Sequence, residues 1–78
     1  MSIYPNPVLD QCTIQWEDAL SNSVDYQIVD ALGRTIRSGM LEAGSTHYQL
    51  DVKDLATAVY TIRLQHQQVQ LLKKFVKR

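Results

Sequence analysis

The chain has 78 residues, eight of them basic and eight acidic, with two histidines and one cysteine. A chain this short buries only about 60% of the surface its unfolded form exposes, which allows one small domain and excludes a large internal site. No run approaches the roughly 20 consecutive apolar residues of a membrane-spanning helix, and a single cysteine excludes an internal disulfide.

The start of the chain is polar and turn-rich rather than basic and then apolar, so any export leader is expected upstream in a longer parent. In Tyr4-Pro5-Asn6-Pro7 the two prolines keep the entry extended and bar it from central sheet pairing. From there the apolar period is two, not 3.6. Cys12, Ile14 and Trp16 alternate with Thr13 and Gln15, predicting a half-buried strand in which Cys12 is a small hydrophobe. A nucleophilic cysteine needs a nearby base, and the only histidines are His47 and His66. Glu17 to Ser23 reads as a polar loop. A second strand alternates Val24, Tyr26 and Ile28 with Asp25 and Gln27.

Asp30-Ala31-Leu32-Gly33 places Asp at the first position of a type I turn and Gly where positive φ is easiest, so a tight antiparallel hairpin is expected. A weaker strand follows over Arg34 to Ser38, around Ile36, then a loop over Gly39 to Thr46. Tyr48, Leu50 and Val52 form the next alternation. Lys53-Asp54-Leu55-Ala56 is long enough for one helical turn only. Tyr60, Ile62 and Leu64 alternate with Thr61 and Arg63, and His66-Gln67-Gln68 closes a further hairpin. The last strand, Val69 to Val76, slips register at Leu71-Leu72, where a bulge is expected.

Six or seven short strands at this spacing predict an all-β fold, an Ig-like antiparallel β-sandwich forming one domain over 1–78. Tyr60 then occupies a corner. It has a small residue, Ala58, two before it and an apolar one, Ile62, two after, which suits a hydroxyl bonding back to the main chain. Leu55 is expected to plug the bottom of the core.

Charge is unevenly spread: residues 1–54 carry eight acids and three bases, and residues 55–78 five bases and no acid. The basic tail is interleaved with Val69, Leu71, Leu72, Phe75 and Val76, which fits an edge strand guarded by lysines better than a nucleic-acid patch. No catalytic constellation stands out. There is no nucleophile elbow and no phosphate-cradling glycine loop, and neither zinc nor calcium spacing appears. Trp16, Tyr26 and Tyr48 would make a glycan platform if exposed, but they fall on the inward register. No enzyme, cofactor or metal site is expected.

Four short motifs stand in a fixed order: Tyr4-Pro5-Asn6-Pro7, then Asp30-Ala31-Leu32-Gly33-Arg34, then Leu55-Ala56-Thr57-Ala58-Val59-Tyr60, then Lys73-Lys74-Phe75-Val76-Lys77. This order resembles the type A C-terminal sorting domain of type IX secretion (Por secretion), the outer-membrane export route of Bacteroidota. Pro5, Asn6 and Pro7 match the family's opening; Asp30, Gly33 and Arg34 match its central turn; Leu55 and Tyr60 match Leu-x-x-Gly-x-Tyr, with Ala58 in place of the glycine. The resemblance implies a seven-stranded domain at the end of a larger secreted protein. It implies reading by type IX components (translocon, outer-membrane shuttle, sortase) in the periplasm, then passage to the outer-membrane surface or medium. Removal by a sortase-like cysteine peptidase usually follows.

Lys73, Lys74, Phe75, Val76 and Lys77 are the expected contact with the machinery. The plainer reading divides Phe75 and Val76 between core and surface and leaves the lysines to solubilise the edge. No nucleic acid and no direct membrane insertion are expected, while an unpaired edge allows a strand-exchange dimer. The alternative function is an Ig-like or fibronectin-like binding module contacting glycan or protein at a cell surface.

Overall fold

A computed structural model describes residues 1–66 and 69–78. Its seven strands are β1 (Ser2–Tyr4), β2 (Gln11–Gln15), β3 (Val24–Val29), β4 (Thr35–Leu41), β5 (His47–Asp51), β6 (Ala58–His66) and β7 (Val69–Lys77). They form two antiparallel sheets, β1-β2-β5 and β4-β3-β6-β7. The chain changes sheet between β2 and β3, between β4 and β5 and between β5 and β6, which makes the predicted sandwich.

The alternation read from the sequence sets which face of each strand is buried. Ile3, Cys12, Ile14 and Leu50 point inward from the first sheet. Val24, Tyr26, Ile28, Leu41, Tyr60, Ile62, Leu64 and Phe75 do so from the second. Val8 and Val52, from connections, complete the core with no exposed surface at all. Each such aliphatic or aromatic side chain contributes about 1.5–3 kcal/mol by leaving water. Cys12 is 2% exposed and its thiol pKa is raised by burial, so it is the inert hydrophobe expected of its position.

Three details depart from the sequence reading. β4 runs through Gly39 to Leu41, so the loop is shorter than expected. Gly39 is no loop residue: a Cβ there would stand 2.6 Å from the Tyr26 ring, which lies across the strand at its register partner. The expected bulge at Leu71-Leu72 is absent, since β6 and β7 pair without interruption from Ala58↔Lys77 to His66↔Val69. Leu71 and Leu72 are 48% and 60% exposed. On an edge strand with water near both faces, neither position has to hide, and two adjacent leucines need no backbone kink. The irregularity lies instead between Ile28 and Val29, opposite β4. The connection expected at His66-Gln67-Gln68 falls on residues 67–68, outside those described.

Among the described residues there is no helix; Lys53–Leu55 is a turn, with the Leu55 amide donating to the Val52 carbonyl at 3.0 Å. No helix is long and apolar enough to cross a membrane.

Candidate functional site

Strand register carries the four sequence motifs to one end of the sandwich. Tyr4 pairs with Thr13 and Gln11 with Asp51 where β1 ends and β2 begins. Val29 pairs with Thr61, and Ala58 with Lys77, at the same end of the other sheet. The entry motif, the central turn, the corner and the end of β7 therefore share one pole.

The first and last motifs touch. Asn6 Oδ1 accepts the Val76 amide at 2.9 Å. The Val8 amide donates to the Val76 carbonyl at 2.7 Å, and the Arg78 amide to the Val8 carbonyl at 2.8 Å. Val8 lies parallel to Lys77 as an isolated bridge. Pro5 and Pro7, each preceded by a cis peptide bond, frame this strap, and Pro7 has no main-chain N–H to compete with the Val76 amide for the Asn6 oxygen. Residues 6–8 thus cover the outer edge of the last part of β7.

The corner forms as the Tyr60 surroundings predict. Its hydroxyl donates to the Ala56 carbonyl at 2.7 Å, and its ring stacks on Phe75, its register partner, with centroids 5.7 Å apart. Leu55 is half-buried against the core. Ala58 opens β6 in extended pairing, a conformation that needs no glycine.

At the central turn, Gly33 has φ 85° and its amide donates to the Asp30 carbonyl at 3.0 Å. Asp30 Oδ1 accepts the Leu32 and Arg34 amides, both at 2.9 Å, and Oδ2 accepts Arg34 Nε at 2.9 Å. These donors, the Arg34 amide foremost, hold the Asp30 carboxyl below the usual carboxylate range.

A further tie was not legible in the sequence. Arg37 on β4 donates to Asp54 Oδ1 at 2.9 Å and to the Asp51 carbonyl, linking the edge of one sheet to the turn after β5. The Arg37 hydrogen bond lowers the Asp54 carboxyl pKa. No local spacing joins Arg37 to Asp54; only the sandwich brings them together.

Of the five residues expected to meet the machinery, Lys73, Lys74 and Val76 face solvent. Phe75 is 1% exposed, in the core, and Lys77 is 6% exposed beneath the strap, its Nζ donating to the Arg78 carbonyl at 2.7 Å. The surface available for contact is therefore narrower than the motif, because an inward-facing residue of an intact sandwich strand is claimed by packing. Val76 lies beside Val59 on the outer face. Among the described residues, ion pairs join only Arg34 to Asp30 and Arg37 to Asp54, so Lys73 and Lys74 have no carboxylate partner.

The aromatic side chains form no open platform. Tyr26 is buried and tilted against half-buried Tyr48, with ring centroids 5.5 Å apart. Trp16 is half-buried and donates through Nε1 to the Ser45 carbonyl at 2.8 Å. Among the described residues no group of three His, Cys, Asp or Glu side chains could hold a metal ion.

The model of the secretion system C-terminal sorting domain matches residues 2–78. The chain belongs to that family. It is a sorting signal of type IX secretion, a role that implies interaction with the secretion machinery and export to the outer membrane or extracellular space. No curated protein matches the chain.

Proposed function

We propose that this domain is one module of a larger secreted protein, and that the type IX machinery reads it in the periplasm through the solvent-facing part of β7, Lys73, Lys74 and Val76, with Phe75 and Lys77 fixing the strand from within. The translocon and the outer-membrane shuttle are the components that engage it. A sortase-like cysteine peptidase then removes it from its cargo, in the linker ahead of Pro5-Asn6-Pro7. The observation that carries this reading is the strap: Asn6 and Val8 hold Val76 and Arg78 by three hydrogen bonds, so the opening motif serves to fix the closing one.

The test is a secretion assay. Residues 1–78 and a native upstream linker are fused behind a signal peptide and a fluorescent reporter. The fusion is expressed in a type IX-competent bacterium and in a translocon-deficient strain. Reporter outside the cell in the competent strain alone is the expected result, and deleting Leu72 to Arg78 abolishes it. Export of the truncated fusion at the full level would remove β7 from the recognition step. Loss of the domain from exported reporter, sensitive to mutation of the linker, checks the cleavage step.

A further inference from the structure

The strap covers only part of the β7 edge. In an antiparallel pair, successive residues point their main-chain groups alternately toward and away from the partner strand. Val76 points its amide and carbonyl away from β6, toward Asn6 and Val8. Lys74, Leu72 and Gln70 share that direction by the unbroken register. β7 is the outermost strand of its sheet, and among the described residues no bond reaches these three positions on the outer side. Three amides and three carbonyls thus form an open ladder, stopped at one end by the strap.

The other outermost strand, β4, is paired irregularly with β3, and Arg37 carries it toward the turn after β5. The β7 window is paired without a register shift and carries charge on both faces. Lys74 points outward with Leu72, and Lys73 points to the inner side with Leu71, all four exposed. Residues 55–78 contain no acid, and neither lysine is paired among the described residues.

We infer that Gln70–Lys74 is a strand-addition site for an acidic extended segment of a partner protein, paired antiparallel to β7. Main-chain bonds to Gln70, Leu72 and Lys74 supply the docking. Two consecutive carboxylates opposite Lys74 and Lys73, followed by apolar residues opposite Leu72 and Leu71, supply the choice of partner. A second copy of this chain fits less well, since self-pairing gathers four lysines around one edge with no acid among them. The inference deepens the proposed function and rests on it for the partner's origin in the secretion machinery.

The probe is a synthetic peptide of two glutamates followed by two valines, flanked by threonines, with a control carrying lysines for the glutamates. Amide hydrogen exchange of the 78-residue chain is the readout. The acidic peptide slows exchange at Leu72 and Lys74 by about tenfold or more; the basic one leaves it unchanged. Leu72→Pro removes an amide that points away from β6, so it spares the β6–β7 ladder and blocks addition. Lys73→Glu with Lys74→Glu keeps the ladder and reverses the charge. Both variants keep the wild-type melting temperature, lose peptide protection and lose reporter export.

Equal protection by both peptides would overturn the acidic partner. Protection that grows with protein concentration and no peptide would assign the edge to a second copy. Normal export of both variants, beside an exported wild type and a retained Leu72–Arg78 deletion, would sink strand addition and leave the sorting reading standing. A wild-type reporter that is not exported takes down the sorting reading itself.

Discussion

The two ends of the sandwich are held by different means. At the motif end, side chains make directional bonds to the main chain: Asn6 to Val76, Asp30 to Leu32 and Arg34, Tyr60 to Ala56. At the far end, Met1, Trp16, Leu20, Val24, Leu41, Leu64 and Leu71 surround a wholly apolar cleft of about 130 Å³. There the loops meet through main-chain bonds, Gly44 to Leu20 at 2.7 Å and Trp16 to Thr46 at 3.0 Å, and through two side-chain donors, Trp16 Nε1 to the Ser45 carbonyl and Ser45 Oγ to the Glu42 carbonyl. A bond that needs one particular side chain leaves one particular letter in the sequence. Apolar packing and main-chain bonds accept many letters. The motif end is therefore spelled out in the chain, and the far end much less so.

The comparison is broken most severely by removing packing, which both ends share. Phe75→Ala is expected to cost about 3–5 kcal/mol and Leu41→Ala about 2–5 kcal/mol. Both are large against the 5–15 kcal/mol stability of a typical domain, and urea titration of each variant measures them. A Phe75→Ala protein as stable as wild type would mean that β7 is not part of the cooperative fold.

Directional bonds give the next effects. Tyr60→Phe keeps the ring on Phe75 and loses only the bond to Ala56, an expected cost of about 1 kcal/mol by the same titration. Asn6→Ala leaves the Val76 amide without its acceptor, at a similar cost. Hydrogen exchange sharpens the contrast, because the Val76 amide should speed up while the Trp16 amide at the far end does not change.

The smallest effect is an acid-pH dependence at the motif end. The Asp30 and Asp54 carboxyls titrate below their ordinary value in the folded chain. Their contribution is present above the unfolded value of about 3.9 and is lost as pH falls through the lower folded values. Asp30→Asn keeps an oxygen for the two amides and removes the ionisation. The melting temperature of this variant should decline less steeply than wild type between about pH 4 and pH 2. An unchanged slope would mean that Asp30 is no better stabilised folded than unfolded.

Legibility followed local chemistry. The alternation of Cys12 to Trp16, Val24 to Ile28 and Tyr60 to Leu64 announced strands and faces, since a half-buried strand cannot hide its period. The Asp30–Gly33 hairpin and the Tyr60 corner were readable because every partner lies within four residues. Gly39 was misread as loop punctuation because the Tyr26 ring that requires it comes from a different strand. The Leu71-Leu72 bulge was misread because an edge strand does not enforce alternation. Within the candidate site, the basic run of β7 was visible. The plainer reading's division of Phe75 and Val76 between core and surface is the one the packing makes. That Val8 lies along Lys77 and that Asn6 is what covers Val76 depended on contacts across about seventy residues, which no local pattern encodes.

The strap also has a temporal meaning. Its two halves lie nearly a whole chain apart, and closing a loop of that length costs about 4 kcal/mol of chain entropy. The strand that finishes the second sheet leaves the ribosome after the other six. A product that stops short of Phe75 leaves Asn6 and Val8 without Val76 and Tyr60 without its stacking partner. The closed strap therefore forms only on a molecule whose β7 has been synthesised.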